Sequence, residues 1–296
     1  MRLVLLCLTA VLACSGSPSV RVEDHVQEIQ EWRANRLERL QGETGWLTLA
    51  GLHWLEEGEN RFGTDPSNAI ILPEGTAPDF AGSFFLESAR VRVKAAAGAD
   101  ISLEGEPVEE QEIHTDESGE PDLLRLDDLY MYALVRGDRF GIRVMDPNST
   151  VRTDFPGIDY FPIDYTYRFE AEFIPYDPPR QIPVADVLGM VNERIVPGVA
   201  RFTRNGQTMN LIPVINGPED RHFFFIFADP TNGKETYGPG RYLYADLEED
   251  GTLIVDFNKA YNPPCAFTAF ATCPLPPKEN RLAVRIEAGE KKSSDH

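Results

Sequence analysis

The segment from Asp256 to Lys291, which we call the Pro/Cys loop, constrains the fold more than any other part of the chain. Proline lacks the backbone N–H donor and holds φ near one value, so this stretch cannot form a helix or a central strand. Long loops in compact domains are commonly functional. The sequence therefore predicts a site here without naming its chemistry. The loop contains five prolines and two cysteines, which are Pro263, Pro264, Pro274, Pro276, Pro277, Cys265 and Cys273.

The chain is strongly acidic, with 48 acidic residues, 28 basic residues and a formal net charge of −20. Binding to nucleic acid requires cations that neutralise phosphates, so we expect no nucleic-acid partner. Lysine is scarce, and this combination resembles proteins from saline habitats. An ordinary solubilising surface is the alternative explanation of the charge.

Residues 1–13 carry one charge, at Arg2, followed by an apolar run that is too short to span a bilayer. The sequence Val-Leu-Ala-Cys that ends at Cys14, with a Ser/Gly/Pro stretch after it, resembles the bacterial lipoprotein signal. That resemblance implies a signal peptide over 1–13, a lipid on Cys14 and a tether over 14–19. The protein would face the periplasm from the outer membrane and contact the membrane only through its lipid. The alternative is an ordinary signal peptide cleaved near Ser17.

Periodicity predicts one helix followed by a mainly β protein. Residues 20–44 have apolar side chains at helical spacing and end at glycines. From Trp46 onward, short apolar runs alternate with turn residues, which favours a sandwich or a barrel. We expect a β-sandwich domain over 45–150, a second antiparallel β-sandwich or barrel over 151–292, and a tail over 293–296. The apolar residues of the predicted helix are Val22, Val26, Ile29, Trp32, Leu37 and Leu40.

Three local patterns predict strand pairing in the second half. Asn205-Gly206 suits the type I′ turn of a two-residue hairpin between 199–204 and 207–214. Residues 241–245 and 252–257 are predicted to pair through a turn at 248–251. The alternating segment 281–287 is predicted to close the sheet.

The sequence GENRFGTDPSNAIILP, residues 58–73, is similar to the opening of forkhead-associated domains, where a Gly-rich turn precedes a strand. Those domains bind phosphothreonine through an arginine in this turn and a downstream Ser-Arg-x-His motif. Here Thr64 follows Gly63 at the position of the arginine, and no segment matches the downstream motif. The resemblance implies the scaffold without its phosphopeptide chemistry.

Cys265 and Cys273 admit three interpretations. A disulfide is the simplest pairing in an exported protein. A nucleophilic thiolate would need a basic neighbour such as His53 or His222, which only the fold can supply. A zinc site would need further ligands, and no histidine lies close in sequence, so we expect no metal.

Polar residues in and before the Pro/Cys loop are the candidate ligand-binding residues. Arg241 offers a planar fork for an anion, although an ion pair with Asp256 or Glu290 would also explain it. Asp229, Thr231 and Gly233 are explained by turn chemistry. Amides and carboxylates around a loop commonly satisfy its backbone, and the functional alternative is a pocket for a polar molecule. The candidates are Tyr237, Arg241, Asp256, Asn258, Asn262, Asn280 and Glu290.

Three segments resemble a bacterial family, the domain-of-unknown-function family numbered 1684: GWLTLAGLHWL at 45–55, GKETYGPGRYL at 233–243 and DFNKAYNPPCAFTAFATCPLPPKENRL at 256–282. The similarity extends roughly over residues 30–292. The resemblance implies no activity, substrate or catalytic residue. Its signature positions in this chain would be Tyr237, Arg241, Asp256, Asn258, Asn262, Pro263, Cys265, Cys273, Asn280 and Glu290.

From these features we expect an exported lipoprotein that binds a polar small molecule or a cell-envelope sugar at the Pro/Cys loop, without a cofactor. One alternative is a hydrolase that uses acidic residues or Cys265 at the same loop. The other is a structural envelope protein whose polar groups only brace the loop. Whether the protein is an enzyme stays open.

Overall fold

The computed structural model describes residues 21–217 and 219–292. The predicted signal peptide, the lipidation site at Cys14, the tether and the tail over 293–296 lie outside the described residues. Among the helices of the described part, none is long and apolar enough to cross a membrane.

The first half of the fold is a helix and a sandwich of two sheets. One sheet has the strand order β1-β11-β10-β9-β6-β7 and the other has the order β3-β2-β4-β5-β8. Side chains from both sheets, among them Phe62, Phe84, Met131 and Ile142, are buried in one shared core. The elements are α1 (Val22–Gln41), β1 (Leu49–Trp54), β2 (Gly58–Gly63), β3 (Ile70–Ile71), β4 (Gly82–Glu87), β5 (Arg90–Ala95), β6 (Ile101–Leu103), β7 (Glu106–Pro107), β8 (Glu110–Ile113), β9 (Leu124–Leu126), β10 (Leu129–Arg136) and β11 (Arg139–Met145).

The second half contains a four-stranded sheet, β14-β13-β12-β17, and a two-stranded sheet, β15-β16. Phenylalanines from both sheets pack into a second core, with ring centroids about 5–6 Å apart. The Pro/Cys loop follows the last strand. The fold is therefore mainly β with an N-terminal helix, as the sequence predicts. The elements are α2 (Thr150–Thr153), β12 (Arg168–Ala185), β13 (Val191–Arg204), β14 (Gln207–Leu211), β15 (His222–Phe227), β16 (Arg241–Asp246) and β17 (Leu253–Asp256).

Strand pairing agrees with the sequence where the signal is local. Asn205 and Gly206 have φ of 50° and 77° and connect β13 to β14 in the predicted hairpin. The predicted turn at 248–251 is formed and is closed by a bridge between Leu247 and Leu253. The predicted strand pair of 241–245 with 252–257 is wrong, because β16 pairs with β15 and β17 pairs with β12. Segment 281–287 forms no strand and makes only a bridge from Arg281 to Ala228. Strands β16 and β17 and the segment 281–287 each pair with a part of the chain that is distant in sequence, and no local pattern reveals such partners.

Helix α1 lies within the predicted range 20–44, and its inner face contains most of the predicted apolar residues together with two polar residues that the pattern did not predict. Ile29 and Leu40 are buried, whereas Val22 is 59% exposed. The remaining buried positions are polar: His25 Nε2 lies 2.7 Å from Asp256 Oδ2, and Arg36 donates to Glu290 Oε1 at 3.0 Å. The helix is therefore held on the protein largely by pairing with the Pro/Cys loop.

Two smaller clusters place the Pro/Cys loop between the two halves. Leu40 and Leu47 pack with Ala266 and Phe267 in one of them. In the other, Ala271 and Cys273 pack with side chains from both halves, including Leu49, Met145, Val196, Ile226 and Tyr242. The middle of the loop is thus fixed against α1, β1, β11 and β16.

Candidate functional site

Arg241, the strongest anion-binding candidate from sequence, lies in the interior with no exposed surface. Its Nη2 donates to Asp229 Oδ1 at 3.0 Å and to the Ile286 carbonyl at 2.8 Å, and its Nη1 donates to the Ala288 carbonyl at 2.5 Å. Its carboxylate partner is thus Asp229 and neither of the two expected acids. Asp229 also accepts from Thr231, as its turn role predicts.

Asp256 and Asn258 are likewise buried and bonded to other protein groups. Asp256 Oδ1 accepts from the Asn258 backbone at 2.9 Å and from its side chain at 2.8 Å. The Asn258 amide also pairs with both backbone groups of Asp164, at 2.9 and 3.0 Å. These contacts fix the turn after β17 against the segment before β12.

Asn262, Asn280 and Glu290 have the same role. Glu290 Oε2 accepts from the Asn262 backbone at 2.7 Å, and Asn262 Nδ2 donates to the Lys291 carbonyl at 2.7 Å. Burial raises the pKa of Glu290, and the charge of Arg36 opposes that effect. The Asn280 amide makes three hydrogen bonds of 2.8–2.9 Å to the backbone of Ile212 and Ile226.

Tyr237 is the only half-buried member of the predicted set, and its hydroxyl donates to the Cys265 carbonyl at 3.0 Å. Burial raises its pKa to about 12. The structure therefore brings the seven candidates together as braces of the backbone. Most of their polar atoms bond to one another and to the main chain. Arg241 Nε and Asn262 Oδ1 have no partner among the described residues, and Asn262 borders a small cavity of about 100 Å³.

An open cavity of about 610 Å³ lies on the other side of the Pro/Cys loop. Helix α1, the short 3₁₀ turn Trp46–Thr48 before β1, strands β10, β11, β15 and β16, and the Pro/Cys loop all contribute to its wall. We call it the Arg/aromatic cavity. It is lined by Trp32, Asn35, Arg36, Arg39, Trp46, Arg136, Arg143, His222, Phe224, Tyr242, Tyr244, Lys259, Tyr261, Pro264, Ala271, Thr272, Cys273 and Pro274.

Strands β15 and β16 supply an aromatic wall because both of their faces are apolar. Phe223, Phe225 and Leu243 point into the second core, so the alternate residues face the cavity. Phe224 and Tyr244 are paired across the strands, with rings stacked at 4.7 Å and 22°. A ring-shaped ligand would meet a flat apolar surface there.

The charge of the cavity is opposite to the charge of the chain. Its wall has five lysine and arginine residues and no acidic residue. Three of these cations pair with carboxylates outside the wall: Arg36 with Glu290, Arg136 with Asp116 and Lys259 with Glu28. The remaining two are Arg39, which is exposed, and Arg143, which is buried.

Arg143 is a buried guanidinium whose hydrogen bonds are incomplete. Its neighbours Ile142 and Val144 point into the first core, so its side chain leaves β11 on the opposite face. It is 1% exposed and donates to the Tyr132 hydroxyl at 2.6 Å and, at 3.5 Å, to the Phe270 carbonyl. Its Nε has no partner among the described residues, and no described carboxylate pairs with it.

Cys265 and Cys273 are free thiols in contact, and the predicted disulfide is not formed in the structure. The Cys265 backbone N–H donates to Cys273 Sγ at 3.1 Å. Neither cysteine belongs to a cluster of three or more histidine, cysteine or acidic residues that could hold a metal, and the described part of the chain contains no such cluster.

A second cavity of about 610 Å³ adjoins the first and shares Arg136, Phe224 and Tyr244 with it. Its wall includes acidic residues, such as Glu193 and Asp220. The two adjoining cavities form one groove, and its positively charged end is therefore the Arg/aromatic cavity, which contains Arg143.

Sequence reasoning missed Arg143 and the aromatic wall, although both carried a signal. HFFFIF and RYLYAD have large apolar residues at successive positions, so one face of each strand must be aromatic outside the core. GIRVM has one arginine within an apolar strand. A charged residue at such a position is buried or faces a site.

Nine chains of solved structures match this chain, and three of them are described here. An uncharacterized protein of Haloarcula marismortui, solved by NMR, is 31% identical, with a TM-score of 0.41 over 49% of this chain and 81% of that one. The FHA domain of FhaA is 16% identical, with a TM-score of 0.23 over 31% of this chain and 96% of that one. A phosphothreonine-dependent FHA domain is also 16% identical, with a TM-score of 0.22 over 32% and 92%.

No curated protein shows significant sequence similarity to this chain. Residues 153–291 match the model of a family described as "Protein of unknown function (DUF1684)". The match contains the whole Pro/Cys loop, whereas the segment at 45–55 that also suggested this family lies outside it. Through residues 153–291 the chain belongs to the DUF1684 family.

Proposed function

We propose that this protein binds a small anionic molecule with a flat or ring-shaped body in the Arg/aromatic cavity. The observation that carries the proposal is Arg143, a buried guanidinium that faces an open cavity without a carboxylate partner. The proposal keeps the expected class, a polar ligand at the Pro/Cys loop, and places the ligand on the opposite side of that loop from the residues first expected.

Burial of an arginine without full hydrogen bonding costs free energy, because its hydration is lost and not replaced. A carboxylate or phosphate would supply the missing acceptors, and the planar guanidinium binds such groups with two parallel hydrogen bonds. Arg39, which forms no ion pair with a described carboxylate, adds positive potential to the same wall. The anionic group of the ligand therefore belongs beside Arg143.

The ligand body belongs against the aromatic wall. The stack of Phe224 and Tyr244 continues to His222, whose ring lies 4.5 Å from Tyr244 and nearly parallel to it. A volume of about 610 Å³ is in the usual range for small-molecule sites. An acidic sugar of the cell envelope and an aromatic acid share this chemistry, so both are included in the test.

The alternatives from sequence are weaker for specific reasons. Asp256 and Glu290, the acids available for hydrolysis, are bonded inside the protein and do not reach the cavity. A purely structural role accounts for those residues. It does not account for an open cavity that collects five cations in an acidic chain.

Export and lipid anchoring at Cys14 remain part of the proposal on sequence grounds alone, with the protein facing the periplasm from the outer membrane. Labelling with a fatty-acid analogue in cells tests this part. Label on the wild-type chain and none on Cys14→Ser is the expected result, and label on neither rejects the anchor.

The binding proposal is tested by calorimetry with benzoate, phenyl phosphate and glucuronate, against the neutral controls benzyl alcohol and glucose. We expect at least one anion to bind and its neutral counterpart to bind at least about tenfold more weakly. Arg143→Met should lose the anion, whereas Arg201→Met, on the exposed face of β13, should keep it. Equal binding of acids and neutral analogues, or no loss in Arg143→Met, would reject the proposal.

A further inference from the structure

Cys265 and Cys273 are held in contact by the fold around them. Besides the hydrogen bond from the Cys265 N–H to Cys273 Sγ, the Cys265 thiol donates to the Ala271 carbonyl at 3.4 Å. The Tyr237 hydroxyl bonds to the Cys265 carbonyl, and Val187 N–H donates to the Cys273 carbonyl at 3.0 Å. Both ends of the intervening turn are thus fixed. Little rearrangement separates the two free thiols from a bond between them.

The two thiols differ in character. A hydrogen bond from the Cys273 thiol lowers the pKa of Cys265, and the charge of Arg143 acts in the same direction. The pKa of Cys273 is raised, first by that same hydrogen bond and then by burial. The other titratable groups that face the pair are Asp186, Tyr237 and Tyr242. Cys265 is therefore the thiol of the pair that ionises more readily, and Cys273 is the thiol that keeps its proton.

The two thiols also differ in access to solvent. Cys265 is half-buried, whereas Cys273 is 4% exposed and forms part of the cavity wall. The cysteine with the lowered pKa is also the more exposed residue of the two. This combination of a low pKa, access and a neighbouring second thiol is typical of redox-active cysteines and differs from structural buried cysteines.

We propose that Cys265 and Cys273 form a reversible thiol–disulfide exchange site, in which Cys265 attacks a disulfide and Cys273 resolves the product. The Cys265 thiolate attacks one sulfur of a small or protein disulfide, whose S–S bond breaks and releases the first thiolate. Cys273 then loses its proton, attacks Sγ of Cys265 and releases the second thiolate. The chain loses two electrons and two protons, and the partner disulfide becomes two thiols.

The first test equilibrates the folded protein with oxidised and reduced glutathione in defined ratios, followed by an acid quench. Trypsin cleavage after Lys259 and Lys278 leaves both cysteines in one peptide, 260–278, so the bridged form is measured by the loss of two hydrogens. We expect an intramolecular disulfide that forms and disappears reversibly across the series. No bridged peptide even in oxidised glutathione would overturn the proposal.

The second test is brief alkylation of the reduced protein with a deficit of iodoacetamide. We expect Cys265 to be modified at least about tenfold faster than Cys273, because the thiolate is the reacting form. Equal rates, or faster modification of Cys273, would overturn the assigned order of attack.

Two matched variants separate the roles. Cys273→Ser should accumulate a stable mixed disulfide between Cys265 and glutathione, because the resolving thiol is absent. Cys265→Ser should leave Cys273 reduced under the same conditions. A mixed disulfide of similar yield on both variants would contradict the roles. The alkylation of the wild-type chain decides the matter if a variant fails to fold, and none of these measurements depends on ligand binding.

Discussion

Arg241 and Arg143 are two buried arginines in different surroundings, and the difference separates a structural residue from a residue of the proposed binding site. Arg241 contacts one carboxylate and backbone carbonyls on both nitrogens of its fork. Arg143 has a phenol, one distant carbonyl and an open cavity beside it. Burial alone does not assign a role to such a residue. The Nε atom lacks a partner among the described residues in both arginines, and the property that differs is the carboxylate partner that Arg241 has in Asp229.

The same comparison holds for the regions around them. The interior network on one side of the Pro/Cys loop consists of residues whose polar atoms mostly meet backbone, so its loss should unfold the loop. On the other side, the Arg/aromatic cavity presents aromatic faces and cations to solvent. We therefore expect substitutions in the network to lower stability and substitutions in the cavity to lower affinity.

The largest effect is expected for Arg241→Met, which leaves Asp229 as a buried, unpaired charge. The free energy of unfolding should fall by about 3–5 kcal/mol, measured by urea denaturation. The exposed Arg201→Met, near Glu172 on the surface, should change it by no more than about 0.5 kcal/mol. A loss below about 1 kcal/mol for Arg241→Met would remove the main support for the bracing role.

Asn280→Ala is expected to have the next largest effect. Three buried backbone groups, on Ile212 and Ile226, would lose their partner, and the free energy of unfolding should fall by about 2–3 kcal/mol. The matched control is Asn210→Ala on exposed β14, which should be nearly neutral. Similar stabilities for the two variants would mean that the amide does not connect β14, β15 and the Pro/Cys loop as described.

Arg143→Met tests the other side of the comparison. An apolar side chain of similar length removes an incompletely bonded cation from the interior, so the free energy of unfolding should change by no more than about 1 kcal/mol in either direction. The measurement is the same urea denaturation that is applied to Arg241→Met. A loss as large as that of Arg241→Met would place Arg143 among the braces, and the contrast between the two arginines would fail.

The smallest effect is expected for Tyr244→Ala. Its ring is 42% exposed, and it stacks on Phe224 and His222. Loss of the stacking surface should weaken binding of an aromatic anion by about fivefold, while Tyr244→Phe keeps it. Calorimetry on the two variants sharpens the comparison, because unchanged binding in Tyr244→Ala would place the ligand away from this wall.

Sequence predicted the elements whose cause is local. The spacing of apolar residues gave the limits of α1, and Asn205-Gly206 gave the hairpin between β13 and β14. The partners of β16 and β17 could not be predicted in this way, because each is chosen by core packing with strands far away in the chain. The burial of two polar residues on α1 could not be predicted for a similar reason. His25 and Arg36 are buried there because they form hydrogen bonds with Asp256 and Glu290, which lie far away in the chain.

The site predicted from sequence and the Arg/aromatic cavity have only the Pro/Cys loop in common. Polar residues were predicted as ligand-binding residues from their side-chain type. That type does not reveal whether protein groups or solvent will form hydrogen bonds with them. The Arg/aromatic cavity combines residues from five separated segments, among them Trp32, Arg143 and Tyr244. No local pattern joins such positions, and only the fold shows that a cation in β11 faces rings in β16.

The attachment of α1 has a consequence for how the family region can be handled. The match to DUF1684 begins at residue 153, yet Asp256 and Glu290 inside it are bonded to His25 and Arg36 of a helix that ends more than a hundred residues earlier. A fragment cut at that boundary would contain two buried acids without these partners and a cavity without its Trp32 wall. The smallest unit that can serve as an autonomous module therefore starts before α1.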